Sequence, residues 1–229
     1  MRPGTLIRWY ALKDILKEAT EDDSTVIDVG GYDGRISGWL KEIRRAARFM
    51  VVDIDVMGLR LATEEKLNAI CASGLKLPFK NGRADVVLCL DLIEHVEEAE
   101  DLIKEISRVL KKDGRLILTT PAEKGVTFPF LTKEAIDKIN KGFLGHAIRK
   151  GFFLQDLEKM LRSGSLLIVK KSRYFNFFSQ FVYWLNAHSK VPSRGKDLFL
   201  RLTALLESCI KWRAQVHIIV AKKSDGIPS

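Results

Sequence analysis

The residues with the clearest chemistry lie in one strand–loop–helix stretch, Val26–Leu40, which reads VIDVGGYDGRISGWL. Glycines at 30, 31 and 34 allow the backbone to approach a ligand closely, and the helix that follows offers free N–H groups at its start. Asp28 near the strand end, and Asp53 at the end of the next apolar run, are placed to accept hydrogen bonds from a ligand amine or from hydroxyls. Asp53 follows Gly34 by 19 residues, close to the spacing of about 20 expected of a ribose-binding acid after a glycine loop. The plain structural alternative is a tight turn flanked by two capping acids. The dinucleotide fingerprint G-x-G-x-x-G is not met, because Tyr32 stands where its second glycine belongs. The pattern is D-x-G-x-x-x-G.

Other chemistry-bearing groups are less specific. Asp53-Ile54-Asp55 has the form of a metal-binding D-x-D, but that reading leaves the glycine loop unexplained. Glu94-His95 could supply a general base or half of a metal site, with a structural role favoured. His146, in Gly145-His146-Ala147-Ile148-Arg149, is a second candidate base and equally a surface histidine. His188 and His217 read as a loop and a strand residue. Cys71, Cys89 and Cys209 are too dispersed for a disulfide framework or a clustered zinc site. No metal site is expected.

These residues need elements to hold them. Residues 6–18 have helical apolar spacing, Thr25–Val29 reads as a strand, and Ile36, Trp39, Leu40 and Ile43 mark a helix face. Phe49–Ile54 reads as a second strand, Val56–Ala69 as a helix, and Asp85–Leu90 as a strand. Residues 97–112 form an amphipathic helix closed by Lys111, Lys112 and Gly114. Arg115–Thr120 is a strand ending at Pro121; Leu154–Leu161 is helical, and Leu166–Val169 and Val216–Ala221 are strands. Strands alternating with helices imply right-handed βαβ units and a parallel sheet covered on both faces.

At this point a family resemblance is visible. Asp28-Val-Gly-Gly-Tyr-Asp-Gly34 resembles motif I of class I S-adenosylmethionine-dependent methyltransferases, and Val52-Asp53-Ile54 resembles their second motif. Leu77-Pro78-Phe79, followed by Ala84–Val96 with Glu94-His95, is similar to the methyltransferase type 11 family. So is Ile106–Leu116, which resembles that family's RVLKPGG segment. The resemblance covers about residues 25–121. It implies S-adenosyl-L-methionine as cofactor, with Asp28, Gly30 and Gly34 at its methionine end, Asp53 at the ribose hydroxyls, and Gly31 and Ile54 also among the cofactor-binding residues. Ser73, Gly74 and Leu75 would flank the adenine, and Asp91 with Leu92 would line the cofactor after the fourth strand. Tyr32 replaces the usual middle glycine, and Ser73 sits where an acid commonly meets the adenine amino group.

Composition bounds the rest. The 229 residues carry a net charge of +9, divided as −2 over residues 1–121 and +11 over residues 122–229. The C-terminal half therefore reads either as a solvated basic surface or as one that meets an anionic partner. Tyr174–Ser189 has no charged residue and holds seven of the chain's 20 aromatics. Residues Ser172–Arg213 exceed what a hairpin needs between the last two strands. They read either as a buried helix face through Phe175, Phe178, Val182 and Leu185, or as a mostly helical cap that selects the acceptor. No secretory leader or spanning helix is expected, so the protein is read as cytoplasmic, with peripheral contact to an acidic membrane as a further option.

The expected architecture is a single α/β domain over residues 1–229, a Rossmann-like doubly wound seven-stranded sheet, mostly parallel with an antiparallel last strand. It divides into an N-terminal helix over 1–24, a cofactor half over 25–121 and a substrate half over 122–229. The expected activity is methyl transfer to a small-molecule or lipid-linked acceptor. The alternatives are an RNA methyltransferase and a cofactor-binding protein of the same fold without turnover.

Overall fold

Strand β1, Thr25–Val29, is buried along its whole length, as a central parallel strand covered on both faces must be. The computed structural model describes residues 3–123, 132, 134, 148–149, 151–180, 202–203, 205 and 214–224. Around β1 the chain lays down α1 (Pro3–Ala19), α2 (Arg35–Ile43), β2 (Arg48–Asp53), α3 (Val56–Glu64), β3 (Asn68–Cys71) and β4 (Ala84–Leu90). After β4 come α4 (Ala99–Val109), β5 (Leu110–Pro121), α5 (Leu154–Ser163), β6 (Leu166–Tyr174) and β7 (Val216–Lys223). The seven strands form one sheet in the order β3-β2-β1-β4-β5-β7-β6. β1 pairs in parallel with β2 and β4, and β7 runs antiparallel to both β5 and β6. This is the expected sheet.

Period-two alternation sorts the strands between two cores. Val26, Val51 and Leu88 pack with Leu12 and Leu16 of α1, Leu40 of α2 and Leu59 of α3 on one face. Ile27, Val87 and Leu116 pack with Leu102 and Ile106 of α4 and Leu157 of α5 on the other. Each helix shows its cause. α4 carries Glu100 and Asp101 in its first turn and Arg108 in its last, which suits the helix dipole. The Asp55 carboxylate caps α3, accepting from the amides of Met57 at 2.8 Å and Gly58 at 3.1 Å.

Three boundaries differ from the sequence reading. The helix expected over Val56–Ala69 ends at Glu64, and Asn68–Cys71 is an extra strand on β2. Four half-exposed residues at a sheet edge leave no alternation to read. The helix expected over 97–112 stops at Val109, so Lys111, Lys112 and Gly114 belong to β5 and do not close the helix. Lys111 instead pairs with Asp85 of the neighbouring strand at 2.7 Å. The strand expected over Leu166–Val169 runs on to Tyr174, so residues 172–174 lie in the sheet and outside any cap. Phe175 is buried just before the helical residues 177–180, whereas Phe178 is 42% exposed. Phe175 and Phe178 therefore do not share one buried helix face. Val182, Leu185, most of Ser172–Arg213 and His188 lie outside the described residues.

Much of the positive charge described in the C-terminal half is neutralised locally. Lys170 pairs with Glu18, Lys171 with Glu158, Arg173 with Glu123 and Lys222 with Asp113, at 3.0, 3.5, 3.7 and 3.0 Å.

Candidate active site

In a doubly wound sheet, ligands bind beyond the carboxyl ends of the strands, where the strand order reverses. Here that point lies between β1 and β4. The loop after β1 turns sharply: Gly30 has φ +73° and donates its amide to Val52 O at 2.7 Å, which ties it to the end of β2. The loop after β3 closes beside it through Ala72 N to Asp53 O at 3.0 Å and Leu75 N to Ser73 Oγ at 3.2 Å. Between them opens a pocket of about 270 Å3. Gly30, Asp53, Ile54, Ser73, Gly74, Leu75, Leu92 and His95 all line it. Seven of these eight were singled out in the sequence as cofactor residues and His95 as a candidate base, and the fold brings them together. Val52, Ala72, Val96, Glu97 and Glu98 complete the lining; Val52 and Val96 stood in the quoted motifs without a site role, and nothing marked Ala72, Glu97 or Glu98 beforehand.

Asp53 is the polar centre of the pocket. Its Oδ2 accepts from Tyr32 N at 2.9 Å and its Oδ1 from Asp55 N at 2.9 Å. A carboxylate has about four acceptor sites, so two amides fix its direction and leave acceptor capacity for hydroxyls. Two apolar side chains lie exposed on the pocket walls, Ile54 at 75% and Leu75 at 36%. Uncovered apolar surface beside a fixed carboxylate suits a flat, partly apolar group carrying hydroxyls.

Four of the predicted residues do not line the pocket. Asp28 is buried beneath it and accepts from Ser37 Oγ at 2.6 Å. Burial raises its carboxyl to about 6, against the pull of the Ser37 hydrogen bond and Arg8. Gly31 backs onto that carboxylate; a Cβ there would meet Asp28 Cγ at 2.6 Å. Gly34 has φ +64° and its bare Cα faces Leu67, 2.6 Å from where a Cβ would sit. It lets the start of α2 pack closely against Ala62 of α3, Val51 of β2 and Leu67. Gly34→Val is therefore expected to lower unfolding free energy by about 3 kcal/mol, combining left-handed strain with overpacking. A urea midpoint equal to wild type would contradict that packing.

Asp91, the fourth, turns towards α1. It has φ +53°, takes the Thr119 hydroxyl at 2.6 Å and forms an ion pair with Arg8. Tyr174 OH lies 3.5 Å from the same carboxylate and 3.4 Å from Arg8 Nε. Glu94 goes to the opposite face, where it is 1% exposed and accepts from Thr120 Oγ1 at 3.0 Å. Burial, reinforced by Asp91, holds its carboxyl above the usual carboxylate range; burial does the same to the Tyr174 phenol. The Glu94 carbonyl also receives the amides of Ile148 and Arg149, at 2.9 and 3.1 Å. His95 beside it does reach the pocket. His146 lies outside the described residues. His217 is a strand residue, as expected, with Nε2 3.2 Å from Phe152 O. Among the described residues no group of three or more His, Cys, Asp or Glu side chains could hold a metal ion. None of the described helices is long and apolar enough to cross a membrane.

A seven-stranded sheet in this order, with a glycine loop and a fixed acid at its reversal point, is a Rossmann-like doubly wound fold. Residues 27–118 match the type 11 family model described as "Methyltransferase domain". The chain is 36% identical over 104 residues to an uncharacterized protein of Methanocaldococcus jannaschii, covering 44% of this chain and 43% of that one. It is 29% identical over 126 residues to a ubiquinone biosynthesis O-methyltransferase of Coxiella burnetii, covering 52% and 53%. These matches span about half the length of the relatives or less. Among solved structures, a geranyl diphosphate C-methyltransferase of Streptomyces coelicolor, in complex with Mg2+, geranyl diphosphate and S-adenosyl-L-homocysteine, superposes with a TM-score of 0.64. That match has 17% identity and covers 93% of this chain and 78% of the other.

Proposed function

We propose that this chain is an S-adenosyl-L-methionine-dependent methyltransferase acting on a small-molecule or lipid-linked acceptor. The observation that carries the reading is the Asp53 pocket: a carboxylate directed by two amides, beside the exposed apolar walls of Ile54 and Leu75, at the reversal point of a methyltransferase domain. Asp53 would hold the ribose hydroxyls, Ile54 and Leu75 would flank the adenine, and Ser73 and Gly74 would meet its edge. Gly30 and Leu92 would bound the methionine end, with Asp28, Gly31, Gly34 and Asp91 shaping the loops beneath. S-adenosyl-L-methionine supplies an electrophilic methyl group on a sulfonium, so the protein's main tasks are alignment and exclusion of water. Where the acceptor is a hydroxyl, its proton needs a base, and His95 in the pocket wall is the described candidate, with His146 the second.

Residues 122–229, with the insertion before β7, would form the acceptor side of one domain. Its aromatics would suit an apolar or lipid-linked acceptor, and peripheral contact with an acidic membrane. Calorimetry with S-adenosylmethionine and S-adenosylhomocysteine tests the cofactor, and binding of neither would overturn the reading. Binding with no product in a screen of hydroxyl, amine and carbon acceptors would favour a non-catalytic protein, and product on RNA alone would displace the small-molecule acceptor.

Asp28 gives the site a pH signature. Its carboxyl is raised in the folded state to about 6, so the folded chain prefers the protonated form. That contribution to stability is complete below the ordinary carboxylate range near 4 and is lost as pH rises through 6, to the extent of about 3 kcal/mol. Asp28→Asn keeps the neutral form at every pH. Urea titrations should therefore show wild type losing stability relative to Asp28→Asn between pH 4 and pH 7. A constant difference across that window would show that Asp28 is solvated.

A further inference from the structure

We propose that Tyr32 is a positioning residue for the cofactor pocket: its ring clamps the glycine loop onto the first turn of α3 and so holds the Asp53 carboxylate in place. The proposal rests on the cofactor reading above. Two local choices in the sequence are unfavourable when taken singly. Tyr32 has φ +48°, a left-handed conformation that residues with a side chain disfavour. Gly58 lies inside α3, where glycine weakens a helix. Each explains the other. A Cβ at Gly58 would lie 2.5 Å from Cδ2 and 2.8 Å from Cε2 of Tyr32, so the ring rests on the bare Cα of the helix and only glycine leaves room for it.

The contact closes a circuit of bonds. Tyr32 N donates to Asp53 Oδ2 at 2.9 Å, and Asp55 N donates to Asp53 Oδ1 at 2.9 Å. Asp55 in turn caps α3 through the amides of Met57 and Gly58, which returns the path to the Tyr32 ring. The loop after β1 and the loop after β2 therefore cannot shift independently without breaking a hydrogen bond to Asp53 or the ring contact. Ordering both loops before a ligand arrives removes that cost from binding. The residue that departs from the family's usual glycine thus strengthens the pocket.

The test is the dissociation constant of S-adenosylhomocysteine, with melting temperature recorded alongside, on the full chain. Tyr32→Phe keeps the ring and should bind within about twofold of wild type. Tyr32→Gly restores the usual glycine, yet should bind roughly tenfold more weakly, as should Gly58→Ala. In the double variant the new methyl enters space the ring has left, so Gly58→Ala should cost nothing further and should raise the melting temperature above that of Tyr32→Gly alone. Equal or tighter binding by Tyr32→Gly, or fully additive losses in the double variant, would overturn the proposal while leaving the cofactor reading intact. A wild-type chain that binds no S-adenosylhomocysteine overturns the cofactor reading and this proposal with it.

Discussion

Arg8→Met should lower the free energy of unfolding by about 3 kcal/mol, because it strands the Asp91 carboxylate in a largely enclosed site. The Arg8 and Asp91 side chains are only 24% and 16% exposed, and Thr119 and Tyr174 give Asp91 hydrogen bonds but no compensating charge. α1 also docks through Leu12 and Leu16, both fully buried, so the helix should stay attached while the pair is lost. The charge explanation makes a second demand. Adding Asp91→Asn to Arg8→Met removes the stranded charge and keeps a residue that tolerates a left-handed backbone, so much of the loss should return. Urea unfolding of the three chains measures this. A double variant as weak as the sum of the singles would show that Arg8 acts by packing alone.

Asp53→Ala should weaken cofactor binding by about 1–3 kcal/mol, roughly five- to 150-fold in dissociation constant. Two losses combine: the charge-assisted bonds to the ribose hydroxyls, and the anchors for Tyr32 N and Asp55 N that set the shape of both loops. Asp53→Asn retains one acceptor and should fall between wild type and alanine. Calorimetric titration of the folded variants with S-adenosylhomocysteine decides it, and an unchanged constant for Asp53→Ala would place the ribose elsewhere.

Most of the cofactor side was legible before folding because its signals are local. A glycine loop between an apolar strand and a helix, followed at a fixed distance by an acid, reports backbone geometry within one βαβ unit. Gly30 and Asp53 therefore meet at one pocket, where Ser73, Gly74 and Leu92, which the family resemblance implied, join them. The sheet was legible for a similar reason, since buried parallel strands are continuous apolar runs. β3 was not, because its four residues carry no alternation and are defined by pairing with β2.

What only the tertiary structure decided concerns groups distant in sequence. Arg8 and Tyr174 are separated by 166 positions and meet only because the side chains of α1 and of the last residue of β6 both reach the Asp91 carboxylate; no periodicity encodes that meeting. Asp91 and Glu94 look alike in sequence, yet they leave the sheet on opposite faces, Asp91 to Thr119 and Glu94 to Thr120. Their environments differ because successive residues of β5 point to opposite sides. Tyr32 is the sharpest case. Its own motif marks it as a departure from glycine, and the glycine that accommodates it stands 26 residues later in another helix. The sequence by itself determined the mostly parallel sheet apart from β3, the glycine loop and the acid of the pocket, all carried by short-range patterns. Which of the nearby charges are buried, paired or turned away depended on side-chain packing between remote segments, which only the folded chain brings into contact.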